Sequence, residues 1–163
     1  MNSANTVIRD IGILIFEDFQ LLDAAGPITV FEMPVRGMNP PPYRLTVYSL
    51  RGGPIRSSSG VLMHSESLPA GLTLDTLIVS GGEGTRTSMR DDAMMRAIRD
   101  ISRQTRRTTS VCSGAFLLAA AGLLDGRKAT THWRRCPDMT RHFPAVKLDA
   151  DRIFVRDGKF WTS

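Results

Sequence analysis

Thr108-Thr109-Ser110-Val111-Cys112-Ser113-Gly114-Ala115-Phe116-Leu117-Leu118-Ala119-Ala120 is the stretch that decides the fold. Thr108 to Val111 is mostly β-branched, the composition of a strand. Gly114 to Ala121 is a run of small and apolar residues that reads as a helix, which Gly122 can terminate. Cys112 stands where the two meet, with no loop between them. A strand-to-helix turn this sharp crowds its central residue and needs small neighbours, which Ser110 and Gly114 supply. The pattern is a nucleophile elbow. The first N–H groups of a helix are unpaired and carry partial positive charge, so a favoured thiolate is expected at Cys112. A buried structural cysteine is the plainer reading of the same residues.

Upstream, Ile11-Gly12-Ile13-Leu14-Ile15-Phe16 is a continuous apolar run, as in a strand buried on both faces. Tyr43 to Leu50 and Thr76 to Val79 read as further strands, with a short excursion near Ile55 between turn signals. A helix is expected from near Pro27 to Val35, because proline is tolerated in a first turn. Asp91 or Asp92 can cap another, whose Met94, Ala97, Ile98 and Ile101 share one face. Downstream, a helix over Trp133 to His142 would carry Pro137 in its first turn. Ile153 to Val155 and Phe160 to Thr162 flank an Asp157-Gly158 turn, the mark of a hairpin. Strands alternating with helices predict a three-layer α/β sandwich of flavodoxin-like type around a mostly parallel sheet. In such sheets ligands bind outside the carboxyl ends of the strands, here after Phe16, Val79 and Val111.

Two of those ends add candidates to Cys112. Ser80-Gly81-Gly82-Glu83-Gly84 could present the N–H groups of Gly81 and Gly82 as an oxyanion or anion cradle, or be an ordinary loop. Asp23, in Leu21-Leu22-Asp23-Ala24-Ala25-Gly26-Pro27, reads as a buried acid that stays protonated and donates to sulfur, or as a plain helix N-cap. His132, twenty residues past the cysteine, is a candidate base or a structural histidine. His64, His142 and Cys136 show no partner pattern, and Cys136 sits in a basic, surface-like segment. Met33, Met63, Met89, Met94 and Met95 read as core filler.

Bulk properties bound the rest. At 163 residues with 42% hydrophobic content the chain is about one domain with a real core. Two cysteines make neither a disulfide framework nor a metal cluster, so no metal and no cofactor are expected and a reducing cytoplasm is the simplest location. Met1 to Thr6 lacks a charged n-region followed by an apolar run, and no stretch reaches the roughly 20 apolar residues of a membrane span. The net charge of +5 comes from 18 Arg and 3 Lys scattered among 16 acids, which reads as a solvated surface and not as a nucleic-acid site.

Taken together, these residues resemble the ThiJ/PfpI superfamily, also called class I glutamine amidotransferase-like, over Ile11 to Ser163. The resemblance rests on Asp23, Gly81-Gly82, the Cys112 elbow and Thr130-Thr131-His132. Many members carry glutamate where this chain has Asp23, a shorter reach that weighs against protease- or deglycase-type activity. Two branches are similar. Phe19 to Pro27, Gly52 to Gly60 and Val155 to Ser163 resemble the amino-terminal domain of AraC-type transcription regulators. That implies a sensor and dimerisation domain with a small-molecule effector at the Cys112 crevice, DNA being bound only by a downstream helix-turn-helix domain that residues 1–163 do not contain. Leu22-Asp23 and Ala129 to Trp133 resemble the isocyanide hydratases. Those imply Cys112 as nucleophile, Asp23 assisting it and Ser113 as a hydrogen-bonding partner. The regulator reading is preferred, which leans away from an enzyme. Both branches continue past the point matching Ser163 with a glycine-rich turn and a helix, so the domain is expected to be truncated there and to leave apolar sheet surface facing water.

Overall fold

A computed structural model describes residues 7–163; the Met1–Thr6 stretch read for a leader lies outside the described residues. The heart of the molecule is the strand pair expected from the two apolar runs. β1 (Arg9–Leu14) lies between β2 (Tyr43–Ser49) and β5 (Thr76–Val79), parallel to both. Ile11, Ile13, Leu14, Leu77 and Val79 are buried, as strands covered on both faces require. β6 (Arg107–Ser110) extends the parallel sheet beyond β5, and β10 (Phe160–Thr162) lies parallel beyond β6. β9 (Val155–Asp157) closes that edge antiparallel to β10, around Gly158 at φ 60°. At the other edge, β4 (Leu62–Ser67) follows β2 and carries β3 (Gly53–Arg56) antiparallel. The eight-stranded order is β3-β4-β2-β1-β5-β6-β10-β9. β7 (Lys128–Ala129) and β8 (Lys147–Leu148) form a separate two-stranded ladder. This is the flavodoxin-like α/β sandwich expected. The chain reverses direction across the sheet between β1 and β5, which opens the crevice at their carboxyl ends.

Helices cover both faces. α1 (Leu21–Val35) packs on β1 and β2. α2 (Thr85–Ser88) is a single turn after β5. α3 (Asp92–Gln104) is capped by Asp91, whose carboxylate accepts from the N–H groups of Ala93 and Met94. α4 (Ala115–Ala120) follows β6, and α5 (Cys136–His142) carries Pro137 in its first turn, after a short 3-10 turn over Trp133–Arg135. Thr108 faces α3, where its hydroxyl meets those of Ser102 (2.9 Å) and Thr105 (2.8 Å). Thr109, on the opposite face, lines an open groove beside α1. That groove, about 560 Å³, is walled by apolar groups including Val30, Phe31, Ile78, Val111, Phe154 and Trp161.

Three expectations are corrected. α1 begins six residues before Pro27, and Gln20 takes the N-cap position, so Asp23 is an inward residue of the first turn and not a cap. Cys136 is 8% exposed and not on the surface, because the α5 period turns it and Met139 inward together. Met33 is exposed, unlike the buried Met94 and Met95. Many of the arginines meet acids, as in Arg106 on Asp75 (2.8 and 2.7 Å), which holds the Asp75 carboxyl below its ordinary range. Among the described residues no helix is long and apolar enough to cross a membrane.

Candidate functional site

Three segments meet beyond the carboxyl ends of β1, β5 and β6, and each brings one of the expected groups. Cys112 leaves β6 at φ 56°. A side chain in that left-handed region costs roughly 1–2 kcal/mol, which the surroundings must impose. They do so by close approach. A Cβ at Gly114 would lie 2.4 Å from the Val79 carbonyl oxygen, and one at Gly81 would lie 2.7 Å from both Asp23 Oδ2 and the Ser113 nitrogen. Only glycine lets the elbow press so tightly onto β5 and α1. A 3-10 turn over Cys112–Gly114 then leads into α4.

Asp23 is 7% exposed and lies beside the Cys112 side chain, while the Gly81 N–H donates to its Oδ2 at 3.1 Å. Burial raises the Asp23 carboxyl above its ordinary range, against the lowering effects of Cys112, the Gly81 N–H and the charge of His132. Burial likewise pushes the Cys112 thiol up, and the Asp23 charge adds to it, opposed by the N–H and hydroxyl of Ser113. Burial and the neighbouring acid thus act against the thiolate expected from a helix N-terminus, and α4 has only six residues.

The glycine turn also behaves differently from a free cradle. The Gly82 N–H donates to Ser113 Oγ (2.9 Å), and the Ser113 hydroxyl donates back to the Gly82 carbonyl (3.1 Å). With the Gly81 N–H on Asp23, both amides hold protein groups in place instead of pointing at a ligand. His132 reaches the same cleft, but its Nδ1 accepts from the Arg134 N–H (3.3 Å) and its ring stacks on Trp133 at 5.7 Å. No hydrogen bond joins it to Cys112 or Asp23 among the described residues. The Thr131 hydroxyl donates to the Cys112 carbonyl (3.0 Å), and the Thr130 N–H donates to the Thr162 hydroxyl (2.8 Å). These two bonds fasten the His132 segment to the elbow and to β10.

The resulting cleft is about 440 Å³ and is lined by Asp23, Gly82, Cys112, Ser113, His132, Arg134 and Arg135, among others. A second lobe of about 440 Å³ opens past Cys112 and His132 toward Trp133, Asp151 and Ile153. Sequence reasoning missed Thr131 as a tie and Arg134-Arg135 as cleft walls; the only signal was their place around His132. Among the described residues no three His, Cys, Asp or Glu side chains gather as a metal site would need. Chemically, the set offers a thiol, a buried acid and a hydroxyl, in a cavity of small-molecule size.

Comparison with known proteins agrees with this architecture. The DJ-1/PfpI family pattern matches residues 9–163. The isonitrile hydratase of Pseudomonas putida is 35% identical over 156 residues, 93% of this chain and 63% of that protein. The HTH-type transcriptional regulator GbdR of Pseudomonas aeruginosa is 31% identical over 159 residues, 95% of this chain and 42% of that protein. The chain thus spans less than two thirds of either relative. The crystal structure of a ThiJ/PfpI family protein from Pseudomonas syringae superposes with a TM-score of 0.83 at 27% identity, covering 97% of this chain and 63% of that one. With the sheet order, the left-handed cysteine and the matched span in agreement, the chain belongs to the DJ-1/PfpI family.

Proposed function

We propose that this chain is the sensing and dimerisation domain of an AraC-type transcription regulator, holding a small effector in the Cys112 cleft. The observation that carries the reading is the state of the elbow. Its thiol is pushed toward the protonated form, and the Gly81 and Gly82 amides that could stabilise a reacting anion are engaged by Asp23 and Ser113. Such a cleft is better arranged to bind than to turn over. The likeness to HTH-type regulators supports the same reading. Sequence-specific DNA contact then falls to a domain outside residues 1–163, and the exposed arginines give only phosphate-driven, salt-sensitive binding.

A second reading is favoured by one specific feature, the gathering of Asp23, Cys112 and Ser113 in one cleft, together with the likeness to an isonitrile hydratase. In that chemistry the thiol adds across the terminal carbon of an isocyanide, forming C–S and C–H bonds. Water then adds to the same carbon, the C–S bond breaks, and an N-substituted formamide leaves with the thiol restored. The experiment is to incubate the protein with an alkyl isocyanide and measure formamide. No turnover is expected, and Cys112→Ala should keep the native circular dichroism spectrum. Robust turnover that disappears in both Cys112→Ala and Asp23→Ala would overturn the regulator reading.

A further inference from the structure

We propose that the ligand of the Cys112 cleft is a small carboxylate, held by the guanidinium groups of Arg135 and Arg134. The proposal rests on the reading of that cleft as the ligand site and names the chemical class it takes. Arg135 is the strongest observation. Its side chain is only 14% exposed, and its Nε is fully buried without a hydrogen-bond partner. Asp138 comes within 3.3 Å of that Nε but off the hydrogen-bonding direction, and the guanidinium lies 4.8 Å over the Phe116 ring. An arginine stays charged in any protein environment, and a buried charged donor left unmatched is costly. Its other N–H groups belong to a planar fork whose natural complement is a carboxylate.

The remaining charges of the cleft point the same way. Arg134, seated over the Trp133 ring at 4.9 Å, lines the cavity beside Arg135. Of the acids there, Glu83 is 75% exposed and pairs with Arg86 at 3.4 Å, while Asp23 accepts from the Gly81 N–H at 3.1 Å. His132 is the only other titratable group on the wall besides Cys112 itself. Among the described residues no carboxylate is hydrogen-bonded to either of the two guanidinium groups. Its volume of about 440 Å³ falls within the roughly 300–1,000 Å³ typical of small-molecule sites.

Iodoacetate and iodoacetamide test this directly, being nearly isosteric alkylating agents that differ by one negative charge. In each case the Cys112 thiolate displaces iodide from carbon, and the adduct is read by mass spectrometry. The reference is the rate ratio of the two reagents on the same protein unfolded in urea. In the folded protein the iodoacetate-to-iodoacetamide ratio at Cys112 should rise at least tenfold over that reference, with saturation in iodoacetate. Arg135→Gln should return it to the reference, Arg134→Gln should lower it part of the way, and Arg135→Lys should retain part of it. Arg96→Gln, an exposed α3 position that removes the same charge, should leave it unchanged. Circular dichroism checks each fold, and Arg134→Gln carries the test if Arg135→Gln does not fold. A ratio equal to the reference, or an equal loss in Arg96→Gln, overturns the proposal while the cleft itself stands. If neither reagent modifies Cys112 in the folded protein, the cleft reading falls and the proposal with it.

Discussion

The cleft at Cys112 and the groove beside α1 are comparable in volume, about 440 and 560 Å³, and opposite in chemistry. The groove is walled by Val30, Phe31, Ile78, Val111 and Trp161, and its attraction for any occupant is non-directional. The cleft is built from an acid, a thiol, a hydroxyl, an imidazole and two guanidinium groups, the acid and the hydroxyl each held by a bond from the glycine turn. Adjacent residues of one chain serve the two: Val111 lines the groove and Cys112 the cleft. The left-handed turn at Cys112 is enough to set a polar cleft next to an apolar groove.

The largest effect expected from this contrast is in cysteine labelling. Cys112 opens into the cleft, while Cys136 is buried against the carbonyls of Thr131 and His132. Limiting iodoacetamide on the folded protein should modify Cys112 at least tenfold faster than Cys136, and a preference for Cys136 would break the comparison. Because burial and Asp23 raise the Cys112 thiol, its labelling should climb with pH to a value above that of an ordinary thiol. Asp23→Asn removes the charge, so the profile should move to lower pH; an unmoved profile would show that Asp23 does not govern the sulfur.

Next in size is the groove. Exposed apolar surface of this kind favours association, and Val30 is 67% exposed on its rim. Val30→Lys should reduce the fluorescence of a bound apolar dye severalfold and lower the light-scattering mass at high concentration. Labelling of Cys112 should stay as it was. Equal fluorescence and mass would mean that the groove is not the adhesive face.

Smaller effects separate strain from burial inside the cleft. Cys112→Gly relieves a left-handed side chain, by about 1 kcal/mol, which for a domain of this size raises the thermal midpoint by roughly 2–4 °C. Cys112→Ala keeps the strain and should show no such rise. Asp23→Asn addresses burial. A carboxyl raised on folding holds its proton more tightly in the native state, so its contribution is most favourable below the unfolded value. That contribution weakens as pH climbs through the raised value. The asparagine variant should therefore melt higher than the parent at pH 7, with the gain shrinking toward zero near pH 4. A gain independent of pH would assign the effect to packing.

How far the sequence reveals this molecule depends on what each residue's pattern encodes. β1 and β5 were legible because strands buried on both faces leave unbroken apolar runs, and β6 by its β-branched threonines. The start of α1 was not, since Pro27 looks like a first-turn residue and in fact sits inside the helix, where its missing N–H forfeits one bond. That shift matters to the site, because it turns Asp23 from a cap into a buried acid. Two-residue strands such as β7 and β8 are too short to carry a period. Cys112, Asp23, Ser113 and His132 could be named from motif and resemblance, and they line one cleft. Bonding partners could not be named. Which group the Gly81 and Gly82 amides serve, and whether the sulfur sits beside more negative charge than positive, are properties of approach in space.

The two threonine bonds on the His132 segment also have a meaning in time. A ribosome delivers Asp23 first, then the Gly82 turn, then Cys112, but Thr130 is latched by two later groups, the Arg152 carbonyl and the Thr162 hydroxyl. Three walls of the cleft can thus be assembled on a growing chain while the fourth still lacks its fastening. The His132 wall gains its last fastening only after β10 has emerged and docked beside β6. The cleft is a late product of synthesis, although its chemistry is written early in the chain.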